Sequence, residues 1–266
     1  IKATVATAGQ ENVAEDKLGI LEPLRASLVL AQAGASYMTG LIGNVSIPVY
    51  SGSNVGWAGE VAAASDGAGT FSEVNLEPKR LTAYIDVSKQ FLIQDSNSAE
   101  EMLKRDIVAA ISNKLEATIL GTAAGSATQP AGMLNGVTAD TAAVTYADFV
   151  NMEATLGEKN VRGDIKFIVS PSAKAVLKST AKNQNSFIME GNEVNGYPVL
   201  CTSAVAGKGI VYGNFADLVI GQWGGIDLTV DPYTQAANGK VRLVINAYFD
   251  AKPRRAEAFV KKVLKA

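Results

Sequence analysis

Residues 46–121 constrain this chain most, because they read as one very long β-hairpin feeding directly into one long amphipathic helix. The outgoing arm covers 47–64, and the tip is Ser65-Asp66-Gly67-Ala68-Gly69, whose small residues permit the backbone angles of a reversal. The returning arm alternates Leu81, Ala83, Ile85 and Val87 with Thr82, Tyr84, Asp86 and Ser88, the period of a strand with one covered face. Ser98 and Glu101 form a capping box, and Leu103, Ile107, Ile111, Leu115 and Ile119 follow at i+4 spacing until Gly121 closes the helix. Glu100–Lys104 and Glu101–Arg105 are i,i+4 pairs of the better orientation. At roughly 3.3 Å per residue, an arm of about twenty residues reaches about 60 Å, far outside its own domain. An isolated two-stranded ribbon is marginal in water, so something must cover it. The simplest cover is a neighbouring copy of the same chain.

With 266 residues, the chain makes one large domain or two smaller ones. The net charge of −2 forces neither a nucleic-acid nor an acidic-lipid partner. Histidine is absent from the sequence, which removes the commonest general base and the commonest metal ligand. Cys201, the single cysteine, sits in the apolar run 197–201 and reads as a small buried hydrophobe. The chain opens at Ile1 without a charged-then-apolar leader, so no signal peptide is expected. Residues 26–59 carry no charge, but Gln32, Ser36, Asn44 and Pro48 interrupt them, so a buried helix followed by a strand is expected instead of a membrane span.

Taken in order, residues 1–22 are polar and mixed in charge, an arm ordered only by contact with something else. After the long helix comes a loop over 121–136. A second region opens near Thr145, with a helix over 145–156 and a buried strand over 165–169. Ser170 and Pro171 then stand as N-cap and N1 of a helix through Ser179. Strands are expected at 194–201, 209–213, 218–221, 226–230, 241–249 and 254–264, with a polar loop at 231–240. This order fits neither a βαβ series nor a sandwich, so the fold class is α+β.

Catalytic motifs do not survive inspection. Ser179-Thr180-Ala181-Lys182 has the Ser-x-x-Lys spacing of penicillin-recognising enzymes but lacks the companion Ser-Asp-Asn and Lys-Thr-Gly elements. Gly207-Lys208-Gly209 lacks the upstream glycine and the following Ser/Thr of a phosphate loop, and reads as a turn. Asp140, Asp148, Asp164, Asp217, Asp227 and Asp231 are scattered without a calcium-loop pattern, and no His/Cys cluster offers zinc a site. No catalytic residue, metal or cofactor is expected.

Charge placement is more informative. No basic residue occurs between Arg25 and Lys79, whereas Glu60, Asp66, Glu73 and Glu77 lie along the hairpin. The C-terminal stretch carries Lys252, Arg254, Arg255, Lys261, Lys262 and Lys265 against Glu257 alone. An acidic hairpin docking on basic groups of an adjacent subunit accounts for both, with register set more than affinity. The candidate inter-subunit contacts are Trp57, Glu60, Asp66, Glu73, Glu77, Tyr233, Arg254 and Arg255. Trp223, beside Gly224-Gly225, reads as ordinary packing.

The layout resembles the major capsid protein of tailed double-stranded-DNA bacteriophages, the Hong Kong 97-type fold. The carrying stretches are Thr82-Ala83-Tyr84-Ile85-Asp86-Val87-Ser88-Lys89-Gln90, the capped helix over 98–120, the loop over 129–136, Phe167-Ile168-Val169-Ser170-Pro171, and Asn195-Gly196-Tyr197-Pro198-Val199. The resemblance implies an N-terminal arm at 1–22, an extended E-loop at 46–93, a peripheral P-domain from 23–45, 94–138 and 226–250, and an axial A-domain from 139–225 and 251–266. It implies pentamers and hexamers of this chain closing an icosahedral shell around non-specifically held double-stranded DNA. Scaffold, protease, portal and decoration proteins are the further partners implied, with assembly in the host bacterial cytoplasm, residence in the virion and no membrane. Such proteins often lose an N-terminal segment by proteolysis, with which a chain opening at Ile1 is compatible. Some relatives weld the shell by an isopeptide bond from an E-loop lysine to an asparagine of the adjacent subunit. Here the hairpin has no lysine before Lys79 at its base, so a non-covalent shell is expected. Two rivals stand beside this reading. One is an encapsulin-like shell around a cargo enzyme; the other is an enzyme of another class.

Overall fold

The computed structural model describes residues 29–61, 63–90 and 96–265, with the side chains of 96–104 and 108 outside that description. The expected arm at 1–22, the capping box of Ser98 and Glu101 and the two i,i+4 pairs of the helix lie outside the described residues.

A short helix α1 (Val29–Ala33) leads into strand β1 (Ser36–Met38), then into a ribbon of β2 (Val45–Tyr50) and β3 (Phe71–Leu76). Strand β4 (Lys79–Ser88) and the long helix α2 (Ser96–Ile119) follow. Helix α2 begins at Ser96, two residues ahead of its expected start. Helix α3 (Tyr146–Glu158), β5 (Ile165–Val169) and α4 (Pro171–Ser179) appear as expected to within a few residues at their ends. The Ser170 hydroxyl accepts from the Ala173 amide at 3.1 Å and Pro171 opens the helix. A small hairpin of β6 (Ala181–Asn183) and β7 (Ser186–Phe187) precedes β8 (Glu193–Val194), β9 (Tyr197–Cys201) and β10 (Gly209–Asn214). Two long strands, β11 (Leu218–Asp231) and β12 (Lys240–Pro253), and the last strand β13 (Phe259–Val263) complete the α+β chain.

These strands form two main sheets. One has the order β1-β11-β12-β4, with β1 parallel to β11 and the rest antiparallel. Ile107, Ile111, Leu115 and Ile119 of α2 share one buried cluster with Ile245, Ala247 and Phe249 of β12, so the i+4 stripe of the helix covers that sheet. The other sheet has the order β13-β10-β5-β9-β8. A second cluster covers it, joining Phe149, Met152 and Leu156 of α3 and Ala173 and Leu177 of α4 to Phe167, Val199 and Tyr212. The Phe167 and Tyr212 rings stack at 4.1 Å.

Four expectations change. The strand over 81–88 is not the return arm of the ribbon: β4 pairs along its whole length with β12, from Lys79↔Phe249 to Ser88↔Lys240. Period-two alternation identifies a covered face but not the partner strand, and here the long-range partner wins. The ribbon pairs only Val45–Tyr50 with Phe71–Leu76, six residues a side or about 20 Å, and its reversal falls at Glu60–Val61 instead of 65–69. Strands 218–221 and 226–230 are one strand, because four steps on β11 (Trp223 to Asp227) face two on β12 (Tyr248 to Asn246) in a bulge. Gly224, at φ 63°, supplies the left-handed residue that the bulge requires. The strand over 254–264 starts later, at Phe259, after a 3-10 turn at Ala256–Ala258. Strands β11 and β12 run unbroken through positions 225/226 and 250/251.

Candidate assembly surfaces

The ribbon has an anchored base and an uncovered end. At the base, Leu76, Val219 and Trp223 form a small buried cluster packed by Met38, Leu41, Val45 and Ile47. The Trp223 indole N–H donates to the Gly43 carbonyl at 2.6 Å, so this tryptophan packs internally as expected. Lys79, the first residue of β4, pairs with Asp250 at 2.9 Å, and the two side chains are 8% and 0% exposed. The same carboxylate accepts from the Glu77 and Ala251 amides at 3.1 and 3.0 Å. Lys79 is thus committed inside its own chain, consistent with a ribbon that offers no lysine for a covalent weld.

Beyond β2 and β3 the two arms stay together through local bonds. The Ser51 amide donates to the Thr70 carbonyl at 2.9 Å and the Asn54 amide to the Gly67 carbonyl at 3.0 Å. The Tyr50 and Phe71 rings meet at 4.7 Å. A Cβ on Gly69 would come within 2.1 Å of the Gly52 carbonyl, so this close approach of the two arms admits only glycine. None of this provides a core. Val55, Trp57 and Val61 each expose more than nine-tenths of their surface, and Phe71 exposes 77%. Among the described residues, half of the twelve exposed large hydrophobics fall within residues 42–71, which makes this extension the candidate interaction surface.

The eight candidate contacts do not form one cluster. Glu60, Asp66, Glu73 and Glu77 are all exposed, spread from the far end of the ribbon to its base. Glu73 accepts from the Ser46 hydroxyl at 2.9 Å, and Asp66 caps the Ala68 amide at 2.9 Å. Tyr233 is 80% exposed in the loop before β12, where Asp231 accepts from the Tyr233 amide at 2.8 Å and from Thr234. Those bonds, led by the Thr234 hydroxyl, hold the Asp231 carboxyl below the usual carboxylate range. Arg254 and Arg255 are exposed just past the other end of β12, whose fourteen residues span about 45 Å. Tyr233 and the two arginines therefore lie near opposite ends of β12.

The basic C-terminal stretch is less free than its sequence suggests. Lys252 donates to the Asn75 carbonyl at 2.5 Å, and Lys262 bridges Asp140 and Asp148, both at 2.9 Å. Burial raises the Asp148 carboxyl, but bonds from Lys262 and Thr145 outweigh it and leave the net shift downward. Across the first sheet, Arg242 grips Asp86 through two bonds of 2.7 and 2.9 Å and lies over the Tyr84 ring.

Sequence reasoning missed the buried Glu116, 5% exposed on α2, and nothing in its spacing sets it apart from the solvent-facing acids of a helix. Burial pushes its carboxyl up against hydrogen bonds from Thr202 and the Val29 backbone, and its Oε1 has no partner among the described residues. A raised folded value means a stability contribution fully present below the unfolded glutamate range and lost as pH rises through the folded value. The stability difference between the chain and Glu116→Gln, followed by urea midpoint against pH, is expected to shift in favour of the variant as pH rises from the ordinary glutamate range. A difference flat in pH contradicts this. Among the described residues, no three His, Cys, Asp or Glu side chains gather as a metal site, and no helix is long and apolar enough to cross a membrane.

Comparisons with known proteins agree with this architecture. The model of the phage capsid family matches residues 17–264. The major capsid protein of Halomonas phage phiHAP-1 is 30% identical over 251 residues, covering 90% of this chain and 41% of that protein. The chain thus spans about two-fifths of the length of that curated relative. Among solved structures, the capsid of a native GTA particle superposes with a TM-score of 0.72 at 18% identity, over 89% of each chain. The structure titled Mycobacterium phage Bobi superposes with a TM-score of 0.70 at 14% identity, over 90% of this chain and 91% of that one.

Proposed function

The chain belongs to the phage capsid family, and from that premise we propose that it is the shell-forming major capsid protein of a tailed bacteriophage, closing pentamers and hexamers around double-stranded DNA. The observation that carries this reading is the ribbon: its base is fixed by Trp223 and the Lys79–Asp250 pair, while Val55, Trp57 and Val61 stay more than nine-tenths exposed among the described residues. An extension of that kind becomes stable when a neighbouring copy covers it. Heterologous contacts then close rings around the second sheet, and the ribbon overlaps the next subunit.

The E-loop, P-domain and A-domain divisions given above are part of this proposal, with β4, which pairs with β12 and not with the ribbon, counted with the P-domain. Trp57 serves as the apolar anchor, and Glu60, Asp66, Glu73 and Glu77 set the register of the overlap. Tyr233 and the Arg254–Arg255 pair meet other neighbours. The enclosed DNA is held weakly and without sequence preference through its phosphates. Scaffold, protease, portal and decoration proteins complete the particle, which assembles in the host bacterial cytoplasm. The named relatives are phage and GTA-particle capsids, which favours this reading over an encapsulin-like shell around a cargo enzyme.

Purified particles test it. They are expected to absorb more strongly at 260 than at 280 nm and, heated in detergent, to run as single chains of 27.7 kDa. A protein-only absorbance spectrum with an enzyme inside contradicts the DNA cargo. A ladder of multimers contradicts the non-covalent shell.

A further inference from the structure

The two edges of the β13-β10-β5-β9-β8 sheet carry opposite charge. Its β8 edge opens onto a groove of about 600 Å³ holding Glu153, Glu190 and Glu193, flanked by the exposed Val150 and Phe187. One lysine lines that groove, Lys182, and it is occupied over the Tyr146 ring at 4.2 Å. The β13 edge carries Lys261, Lys262 and Lys265, with Lys208 reaching the Lys265 carbonyl at 3.0 Å. Asp140 and Asp148 neutralise Lys262 from within. Lys261 is different: it is half-buried, burial lowers its pKa, and although it lines the same cleft as Asp140 and Asp148, those carboxylates pair with Lys262 and none forms an ion pair with Lys261 among the described residues. A partly desolvated cation without a partner is costly, and an anion arriving from outside relieves that cost.

The edges lie four strand spacings apart, about 19 Å, on opposite sides of the same domain. We propose that the acidic β8 edge of one copy docks on the Lys261–Lys265 edge of the next, and that this contact turns the chain into rings. The proposal rests on the shell-forming reading and adds which surfaces meet. Charge selects the geometry. A two-fold contact would set β8 against β8 or β13 against β13, bringing glutamates onto glutamates or lysines onto lysines. Only the head-to-tail arrangement pairs opposite signs, and repeated with a rotation that divides a full turn it closes a ring. Val150 and Phe187 supply the apolar part of the contact.

A charge swap on the full chain tests this. Glu190→Lys with Glu193→Lys is expected to abolish pentamers and hexamers in native mass spectrometry while circular dichroism stays that of the parent chain. Adding Lys261→Glu and Lys265→Glu to that variant is expected to restore rings. The neutral Glu190→Gln/Glu193→Gln variant, free of any new cation, is expected to weaken rings without abolishing the fold. Rings that survive the reversal, or folded variants that the swap does not rescue, overturn the edge pairing and leave the shell-forming reading intact. A parent chain that forms no ring at all overturns both.

Discussion

A Lys79→Met variant is expected to unfold more easily than the parent chain by about 3–5 kcal/mol, the cost of stranding one member of a buried ion pair. Asp250 is fully buried, and its remaining partners are the Glu77 and Ala251 amides, which do not neutralise a carboxylate. The pair sits where β3 ends and β4 begins, so it ties the base of the ribbon to β12 and sets the first register position, Lys79↔Phe249. Lys79→Met combined with Asp250→Leu is expected to recover much of the loss, since both charges then leave together and apolar groups of similar size replace them. Urea midpoints of the two variants measure this. A single variant within about 1 kcal/mol of the parent, as for a surface pair, contradicts it.

Removing the far half of the ribbon is expected to have the opposite profile. With residues 52–69 replaced by an Asn-Gly turn, no member of the three buried clusters is lost. Stability is expected to stay within about 0.5 kcal/mol of the parent, as for surface changes generally. Shell formation is expected to disappear, because Val55, Trp57 and Val61 leave with the excised segment. The milder Trp57→Ala is expected to slow assembly without touching the fold. Both are read by light scattering beside thermal denaturation. Truncated chains that still build shells of parental size mean that the ribbon is ornamental.

How much of this was legible in the sequence depends on the range of the interactions involved. Helix α4 was readable because Ser170 and Pro171 act on their own first turn, and the buried face of α2 because i+4 spacing is local geometry. The pairing of β4 was not, since its partner lies more than 150 residues away and the alternation of Leu81 to Val87 suits any neighbour with an apolar face. The Gly224-Gly225 break was misleading for a related reason: two glycines end a strand or bulge it, and only the partner β12 decides which. Among contact candidates, Trp57 stood out by residue type, and the four acids by the absence of basic neighbours. Val55 and Val61 carry no period in a segment without regular structure, and Phe71 only opens β3, so their exposure became visible only with the fold. Lys262 looked like part of a basic surface because Asp140 and Asp148 are over a hundred residues away in sequence.

The account turns on where the end of the ribbon goes once many copies are present. Electron cryo-microscopy of particles formed by the unmodified chain locates it directly. The expected result is a closed shell in which residues 51–70 of each subunit lie on the adjacent one, with the indole of Trp57 buried at that contact. A solution of single 27.7 kDa chains, or a particle in which the ribbon folds back on its own subunit and leaves the neighbour untouched, contradicts it.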